Sequence, residues 1–332
     1  MLNSIKIENF GSIEQLNWAS LSNINLVIGA NGTGKTFLLK SLYSSMRTLE
    51  EYKRGDDKSS LPEILFKKLY WTFQVEKIGD LVRKGESRLS LQITFNQKEF
   101  SYAFGKDTSK SISDLANNIP PRVSKSVFLP AKEVLSLIKI IIKSRDEDKV
   151  FGFDDTYLDL AKALSQQTQK GKNHPAFSQS RKSLEDILGG KVEYDENSKH
   201  WQFKKGKQKF HMGATSEGVK KIAILDTLLG NRYLDKNSIV FIDEPESALH
   251  PKAISDLLDI IATLADCGIQ FFLATHSYFV IKKLYLIAQQ KEMSIPIISV
   301  EPWNSGNLKD GMIDNPIIDE SIRLYKEEID LA

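Results

Sequence analysis

Short, continuous apolar runs followed by helical patterns occur towards both ends of this chain. The runs 24–28, 238–242 and 269–273 have the length and hydrophobicity of strands that are buried on both faces of a parallel sheet. Apolar residues at helical spacing follow two of them, over 37–43 and 253–265. The pattern therefore predicts an α/β fold whose central strands come from both ends of the sequence.

Other segments alternate between apolar and polar residues, which is typical of antiparallel strands with one buried face. Short turns separate several of these segments and predict hairpins. The expected strands of this kind are 5–10, 13–18, 88–95, 99–104, 191–194, 200–203 and 208–212. Most of the remaining pattern between them is helical, with helices expected over 61–80 and 132–143.

A complete G-x-x-x-x-G-K-[ST] pattern at 29–36, here called the phosphate loop, joins the first buried strand to its helix. Strand, loop and helix form the context this motif needs, because the helix N-terminus adds its dipole to an anion site. Lys35 would place a cation on the β- and γ-phosphates, and the Thr36 hydroxyl would ligate Mg²⁺. The residues expected to contact the nucleotide are Asn31, Gly32, Thr33, Gly34, Lys35 and Thr36. We therefore expect a bound nucleoside triphosphate.

Two later strand ends carry polar residues suited to the same chemistry. The run 239–242 ends in Asp243 and Glu244, and ligands bind at the carboxyl ends of parallel strands. Asp243 would complete the Mg²⁺ shell begun by Thr36, and Glu244 would polarise the water that attacks the γ-phosphate. The run 271–275 ends in His276, which would contact the γ-phosphate. Without the phosphate loop, an acidic turn and a structural histidine would be the simpler interpretations.

A second candidate anion site lies at Ser216-Glu217-Gly218, directly before a predicted helix. Serine and glycine at a helix N-terminus offer backbone N–H groups to an anion. One triphosphate rarely needs two such sites. Ser216 and Gly218 are therefore expected to serve the nucleotide held by a partner subunit.

Composition excludes some classes of protein but does not by itself indicate a function. A chain of 332 residues that is 41% hydrophobic and 27% charged can bury a sizeable core. A net charge of +2 excludes a strongly polycationic nucleic-acid coat but permits a local basic patch. The single cysteine, Cys267, fits a reducing compartment, and no apolar run has the length of a membrane span. We expect a cytoplasmic protein without membrane contact.

The motifs IKIENFGSIEQL, GANGTGKT, TSEGVKKI, IVFIDEPESALHP and FLATHS follow one another along the chain. Their order resembles that of ABC-type ATPases of the SMC, Rad50, RecF and OLD group. Within that group the chain looks most like the bacterial AAA-like ATPases of the AAA_15 and AAA_21 type. The similarity covers both ends of the chain well and residues 45–190 poorly.

The resemblance implies an α/β P-loop NTPase fold: an ABC-type ATPase head with a mixed central sheet, an antiparallel β-subdomain and a helical insertion. It also implies ATP and Mg²⁺ as cofactors and a nucleotide-sandwich dimer. By motif, Lys35 and Thr36 match the family's phosphate-loop residues. Asp243 matches its metal-shell aspartate, Glu244 its catalytic glutamate and His276 its switch histidine. Ser216 and Gly218 match the signature residues that act in trans.

Three positions depart from the family pattern. Thr-Ser-Glu-Gly stands where transporters have Leu-Ser-Gly-Gly, which argues against an importer or exporter. The segment 128–133 lacks the family's glutamine, so that Lys132 or Glu133 would contact metal or water, or would begin a helix. His250 stands in the dimer-contacting loop where many relatives carry aspartate.

One composite domain over 1–332 is expected, with a nucleotide-binding core at 1–47 and 190–294. Residues 48–189 would hold a β-hairpin and a helical insertion, and 295–332 a C-terminal extension.

These features favour an ATPase switch that dimerises on ATP and controls a separate effector, such as a nuclease or toxin, in anti-phage defence or DNA repair. A slowly hydrolysing, ATP-locked scaffold that sequesters an effector needs the same residues and is the first alternative. A direct DNA-binding ATPase is the second, because basic and aromatic residues interleave over 200–211. A solvated hairpin is the simpler interpretation of that stretch. A small-molecule kinase would not explain Ser216 or His276.

Overall fold

The computed structural model describes residues 1–167, 173–195, 200–300 and 303–331. Within them, six strands form a central sheet in the order β14-β13-β3-β12-β11-β7. All neighbours in it are parallel except β14, which runs antiparallel to β13. The strands are β3 (Ile24–Ile28), β7 (Ser126–Leu129), β11 (Ile239–Asp243), β12 (Gln270–Thr275), β13 (Pro296–Val300) and β14 (Trp303–Asn307). The expected mixed α/β sheet is confirmed.

An antiparallel sheet of five strands, in the order β2-β1-β4-β5-β6, forms a second layer. It contains the hairpins expected near the N-terminus and after residue 88. Its strands are β1 (Leu2–Phe10), β2 (Ile13–Trp18), β4 (Arg88–Phe95), β5 (Lys98–Gly105) and β6 (Asp114–Asn117). A separate three-stranded meander contains β8 (Lys191–Asp195), β9 (His200–Lys205) and β10 (Gln208–His211).

Side chains of the central sheet alternate between two hydrophobic cores, as strands buried on both faces must. Phe241 and Phe272 pack on the side of the antiparallel sheet and the helix after the phosphate loop. Ile242 and Leu273 pack on the opposite side, against the C-terminal helices. The central sheet is therefore covered on both faces, which leaves its strand ends as the place for a ligand.

The helices α1 to α9 pack around these sheets. They are α1 (Lys35–Glu51), α2 (Leu61–Phe73), α3 (Ile138–Ile142), α4 (Asp155–Leu164), α5 (Pro175–Leu188), α6 (Glu217–Gly230), α7 (Pro251–Asp266), α8 (Tyr278–Lys291) and α9 (Pro316–Asp330). In the described part of the chain, none of them has the length and hydrophobicity that crossing a bilayer requires.

Two helices differ from the sequence expectation. The helix expected over 61–80 ends at Phe73, where Gln74 adopts a left-handed conformation, and a single 3-10 turn follows at Ile78–Leu81. The helix expected over 132–143 begins only at Ile138. Before it, the Glu133 carboxylate accepts hydrogen bonds from the backbone N–H and the hydroxyl of Ser136. Such a local side-chain bond competes with helical hydrogen bonding.

The central sheet also includes residues placed elsewhere by the sequence analysis. Strand β7 lies within 48–189, the expected insertion, yet it pairs with β11. Strand β13 lies within 295–332, the expected C-terminal extension, yet it pairs with β3. The nucleotide-binding core that we propose therefore draws strands from all three ranges.

Candidate active site

The phosphate loop follows β3 directly and leads into α1. At Gly34 the backbone has φ of 100°, and a Cβ there would lie 2.1 Å from the Ser12 hydroxyl, so only glycine fits. The Lys35 ammonium donates to the carbonyls of Gly29 and Ala30 at 2.8 and 2.7 Å. An ammonium has three N–H groups, so a third remains for a phosphate oxygen. Burial lowers the pKa of Lys35, while the carboxylate of Asp243 acts in the opposite direction.

The two halves of the expected metal shell meet across the sheet. Because β12 lies between β3 and β11 and runs parallel to both, the carboxyl ends of all three strands share one edge. There the Thr36 hydroxyl donates to Asp243 Oδ2 at 2.8 Å, although 207 positions separate the residues. Burial raises the pKa of Asp243, and the hydrogen bond from Thr36 opposes this. A hydroxyl beside a carboxylate is a donor set that fits Mg²⁺, which keeps several water ligands.

Glu244 and His276 lie beside this pair. Glu244 has a left-handed φ of 50°, and its backbone N–H donates to the carbonyl of Ala274 at 2.8 Å. Its Oε1 atom lies 3.4 Å from Nδ1 of His276. The Glu244 side chain is 33% exposed and that of His276 42% exposed, so both can reach water or a ligand. The structure thus brings together Lys35, Thr36, Asp243, Glu244 and His276.

Ser216 and Gly218 lie at the start of α6, here called the signature helix. The Ser216 hydroxyl accepts from the backbone N–H of Val219 at 3.4 Å, as an N-cap does. A Cβ on Gly218 would lie 2.7 Å from the carbonyl oxygen of Ala248, in the loop after Glu244. Ser216 therefore contacts its own helix, and Gly218 lies against that loop. A role in trans remains a proposal.

Glu133 and His250, two of the departures from the family pattern, make contacts that the structure shows. Besides capping the turn at Ser136, Glu133 lies 3.5 Å from the Lys220 ammonium of the signature helix. Lys132 and Glu133 do not begin a helix, because α3 starts at Ile138, and a contact of either residue with metal or water stays a prediction. His250 caps α7, because its Nδ1 accepts from the backbone N–H of Lys252 at 3.2 Å. An aspartate carboxylate can make the same cap.

Three residues of the site, Thr275, Glu246 and Lys221, make contacts there although the motif analysis assigned them no role. Thr275 donates to Oε1 of Glu246 at 2.6 Å, which places a third carboxylate beside His276. Lys221, on the signature helix, donates to the backbone carbonyl of Glu244. Burial lowers the pKa of Lys221 to about 8, and Glu246 is foremost among the carboxylates that oppose this. The only sequence signal for them was their place within the quoted motifs.

Strand register separates some of the basic residues of 200–211 from the aromatic ones. Lys204 lies opposite Lys191 and Lys209, so these three lysines share one face of the meander. Phe203 lies opposite Phe210, on the other face, where it is buried in the core. Lys205 lies two positions after Phe203 and therefore shares its face. The separation is partial, and the DNA-binding alternative stays a prediction.

Solved structures share this fold at low sequence identity. A structure described as an SMC head bound to the C-winged helix domain of ScpA matches with a TM-score of 0.55 and 15% identity, over 92% of this chain and 97% of that one. A Pyrococcus furiosus Smc head with an extended coiled coil matches with a TM-score of 0.52 and 12% identity, over 98% of each chain. These matches confirm the expected ABC-type P-loop fold and say nothing further about function.

Two sequence comparisons address the family. The Old nuclease of Escherichia phage P2 is 46% identical over 41 residues, which is 12% of this chain and only 7% of the nuclease. A family model described as "AAA domain, putative AbiEii toxin, Type IV TA system" matches residues 24–282, a range that holds every motif from the phosphate loop to His276. The expected resemblance to SMC-like and OLD-like ATPases is confirmed, and the chain belongs to this AAA-domain family.

Proposed function

We propose that this protein is an ATP-hydrolysing switch: two copies enclose two Mg²⁺-ATP molecules, and hydrolysis lets the copies separate. The observation that carries the proposal is the contact between Thr36 and Asp243, with Glu244 and His276 beside it. This contact joins the phosphate loop to the end of β11 in one site, at the sheet edge where ligands bind.

Each residue has a defined part in the proposed reaction. Lys35 and the N–H groups of the phosphate loop hold the β- and γ-phosphates. Thr36 and Asp243 would hold Mg²⁺, which neutralises charge on the phosphate oxygens when bound. Glu244 orients and polarises the attacking water. His276, whose Nδ1 lies 3.4 Å from the Glu244 carboxylate, would orient that carboxylate and contact the γ-phosphate.

The insertion is connected to the phosphate loop through charged side chains. Lys40 of α1, one turn beyond Thr36, pairs with Asp154 at the start of α4 at 2.6 Å. Further along α1, Arg47 pairs with Asp159 of α4 at 3.1 Å. A displacement of α1 on nucleotide binding would therefore move α4. This connection supports the proposal that the insertion passes the nucleotide state to a separate effector in bacterial anti-phage defence or DNA repair.

Association in trans can be tested with a matched pair of substitutions at Ser216. Aspartate and asparagine both cap a helix, so α6 should persist in either variant. Aspartate would also place a negative charge against the partner's γ-phosphate. In a Glu244→Gln background with Mg²⁺-ATP, we expect Ser216→Asp to raise the dimer dissociation constant at least ~10-fold, and Ser216→Asn by less than ~3-fold.

Light scattering across a concentration series, with and without ATP, measures these constants. A Glu244→Gln protein that stays monomeric with saturating ATP would show that the dimer switch is wrong. Equal effects of the two Ser216 variants would remove Ser216 from the proposed interface, because the two side chains differ chiefly in charge.

A further inference from the structure

Lys221 links the signature helix to the backbone of the candidate catalytic glutamate. It lies five positions after Ser216 on α6. Its side chain crosses to the loop after β11, where the ammonium donates to the main-chain carbonyl of Glu244. The carboxylates of Glu246, Asp243 and Glu244 all lie close enough to act on its pKa. Lys221 is thus a cation within the site to which the motif analysis assigned no role.

Glu244 needs external contacts to keep its conformation. A left-handed φ of 50° is unfavourable for a residue with a side chain, and such conformations persist where the surroundings fix them. Three hydrogen bonds do so here. The Glu244 N–H donates to Ala274 of β12 at 2.8 Å, and its carbonyl accepts from Ser247 N–H at 3.0 Å and from Lys221. Of these contacts, the one with Lys221 comes from the signature helix.

The neighbouring lysine provides a comparison. Lys220 lies on the same helix, and its side chain is only 6% exposed. Its ammonium pairs with Glu217 at 2.8 Å and with Glu133 at 3.5 Å, away from Glu244. The two lysines thus share a helix and a charge, but only Lys221 reaches the loop of the candidate catalytic residue.

We propose that Lys221 is a positioning residue, which holds the Glu244 main chain so that its carboxylate faces the attacking water. The inference rests on the proposed function, since it gives Lys221 a part in hydrolysis. It also adds a physical link between two nucleotide sites. The start of α6 would face the partner's ATP, while Lys221 fixes the catalytic loop of its own protomer. Closure of the dimer on the partner's ATP would therefore align Glu244 at the ATP of its own protomer.

Lys221→Met should separate positioning from binding, because methionine keeps much of the apolar stem but cannot donate a hydrogen bond. We expect kcat for ATP to fall ~10- to 100-fold, as a small misplacement of a reacting group can cause, while the dissociation constant for ATP changes less than ~3-fold. The matched control is Lys220→Met, which removes a buried lysine from the same helix and should change kcat less than ~3-fold. Steady-state phosphate release and equilibrium binding of fluorescent ATP measure the two quantities.

A double-mutant cycle tests whether Lys221 acts through Glu244. In single-turnover experiments on Glu244→Gln protein, adding Lys221→Met should lower the residual rate less than ~2-fold, because the carboxylate that Lys221 orients is already absent. A full multiplicative loss would overturn the inference. So would equal losses in the Lys221 and Lys220 variants, which would indicate a loosened helix.

The outcomes also distinguish this inference from the proposed function. If Glu244→Gln loses hydrolysis and Lys221→Met keeps it, the positioning role is wrong and the ATPase proposal stands. If the unmodified protein does not hydrolyse ATP, both are wrong. Should Lys221→Met fail to fold, as shown by circular dichroism, Lys221→Gln gives the same test, since its amide ends one bond short of the lysine nitrogen.

Discussion

Replacing Glu244 by glutamine is expected to lower kcat for ATP about 10²- to 10⁴-fold, the usual contribution of general-base catalysis. Glutamine keeps the size of the side chain and its place beside His276, but it cannot accept a proton from water. ATP should still bind, because the phosphate loop and the Thr36–Asp243 pair are unchanged. The variant should therefore accumulate ATP and, under the dimer proposal, remain associated.

Steady-state phosphate release and fluorescent-ATP binding, measured side by side, check both halves of this expectation. Glu193→Gln is the matched control, since Glu193 has a 43% exposed side chain and pairs only loosely with Lys209 at 3.8 Å. Equal rates in the Glu244 variant and the unmodified protein would remove Glu244 from the catalytic role.

The same measurements separate a switch from an ATP-locked scaffold. A switch releases many phosphates per bound nucleotide over the time in which a dimer forms and separates. A scaffold retains about one ATP per site with little release, and its Glu244→Gln variant would resemble the unmodified protein in its oligomeric state. The two functions need the same residues, so the ratio of released phosphate to bound nucleotide decides between them.

Much of the site was predictable because its polar residues lie at the ends of predicted strands. Continuous apolar runs mark strands buried on both faces, and the polar residue that ends each run must then lie at one edge of the sheet. This reasoning placed Thr36 near Asp243 across 207 positions, and the hydrogen bond between them agrees with that expectation. The roles of these residues remain proposals, while the sheet that carries them is observed.

Other features could not be read from local patterns. Strand β7 has only four residues, and nothing in so short a run specifies which strand it joins. The late start of α3 follows from Glu133, whose carboxylate accepts a hydrogen bond from the backbone N–H of Ser136. Lys221 resembles any lysine on an amphipathic helix until the loop after β11 is brought against it. In each case the deciding contact is made by a side chain or a strand distant in sequence.

A buried ion cluster at the far end of α1 carries the largest stability expectation. The Glu50 carboxylate is fully buried and accepts hydrogen bonds from Arg47 at 3.0 Å, Arg122 at 2.8 Å and the Ser126 hydroxyl at 2.6 Å. Ser126 begins β7, the edge strand of the central sheet. Glu50 therefore fixes the end of the helix that begins in the phosphate loop to the sheet beneath it.

Glu50→Gln should lower the free energy of unfolding by about 3–5 kcal/mol, the cost of leaving a buried charge without its partner. The amide keeps the shape of the side chain, but it carries no charge to balance the guanidinium groups of Arg47 and Arg122, and its NH₂ group would oppose their donors.

Glu14→Gln is the control, since Glu14 is 69% exposed beside Arg83 and an exposed pair contributes less than ~1 kcal/mol. Urea unfolding of the two variants measures the difference. Equal, small shifts would mean that the sheet and α1 stay joined through their apolar contacts alone, and that the Glu50 ion cluster adds no measurable stability. A large loss confined to Glu50→Gln would show that the charged end of α1 is part of what holds the phosphate loop's helix in place.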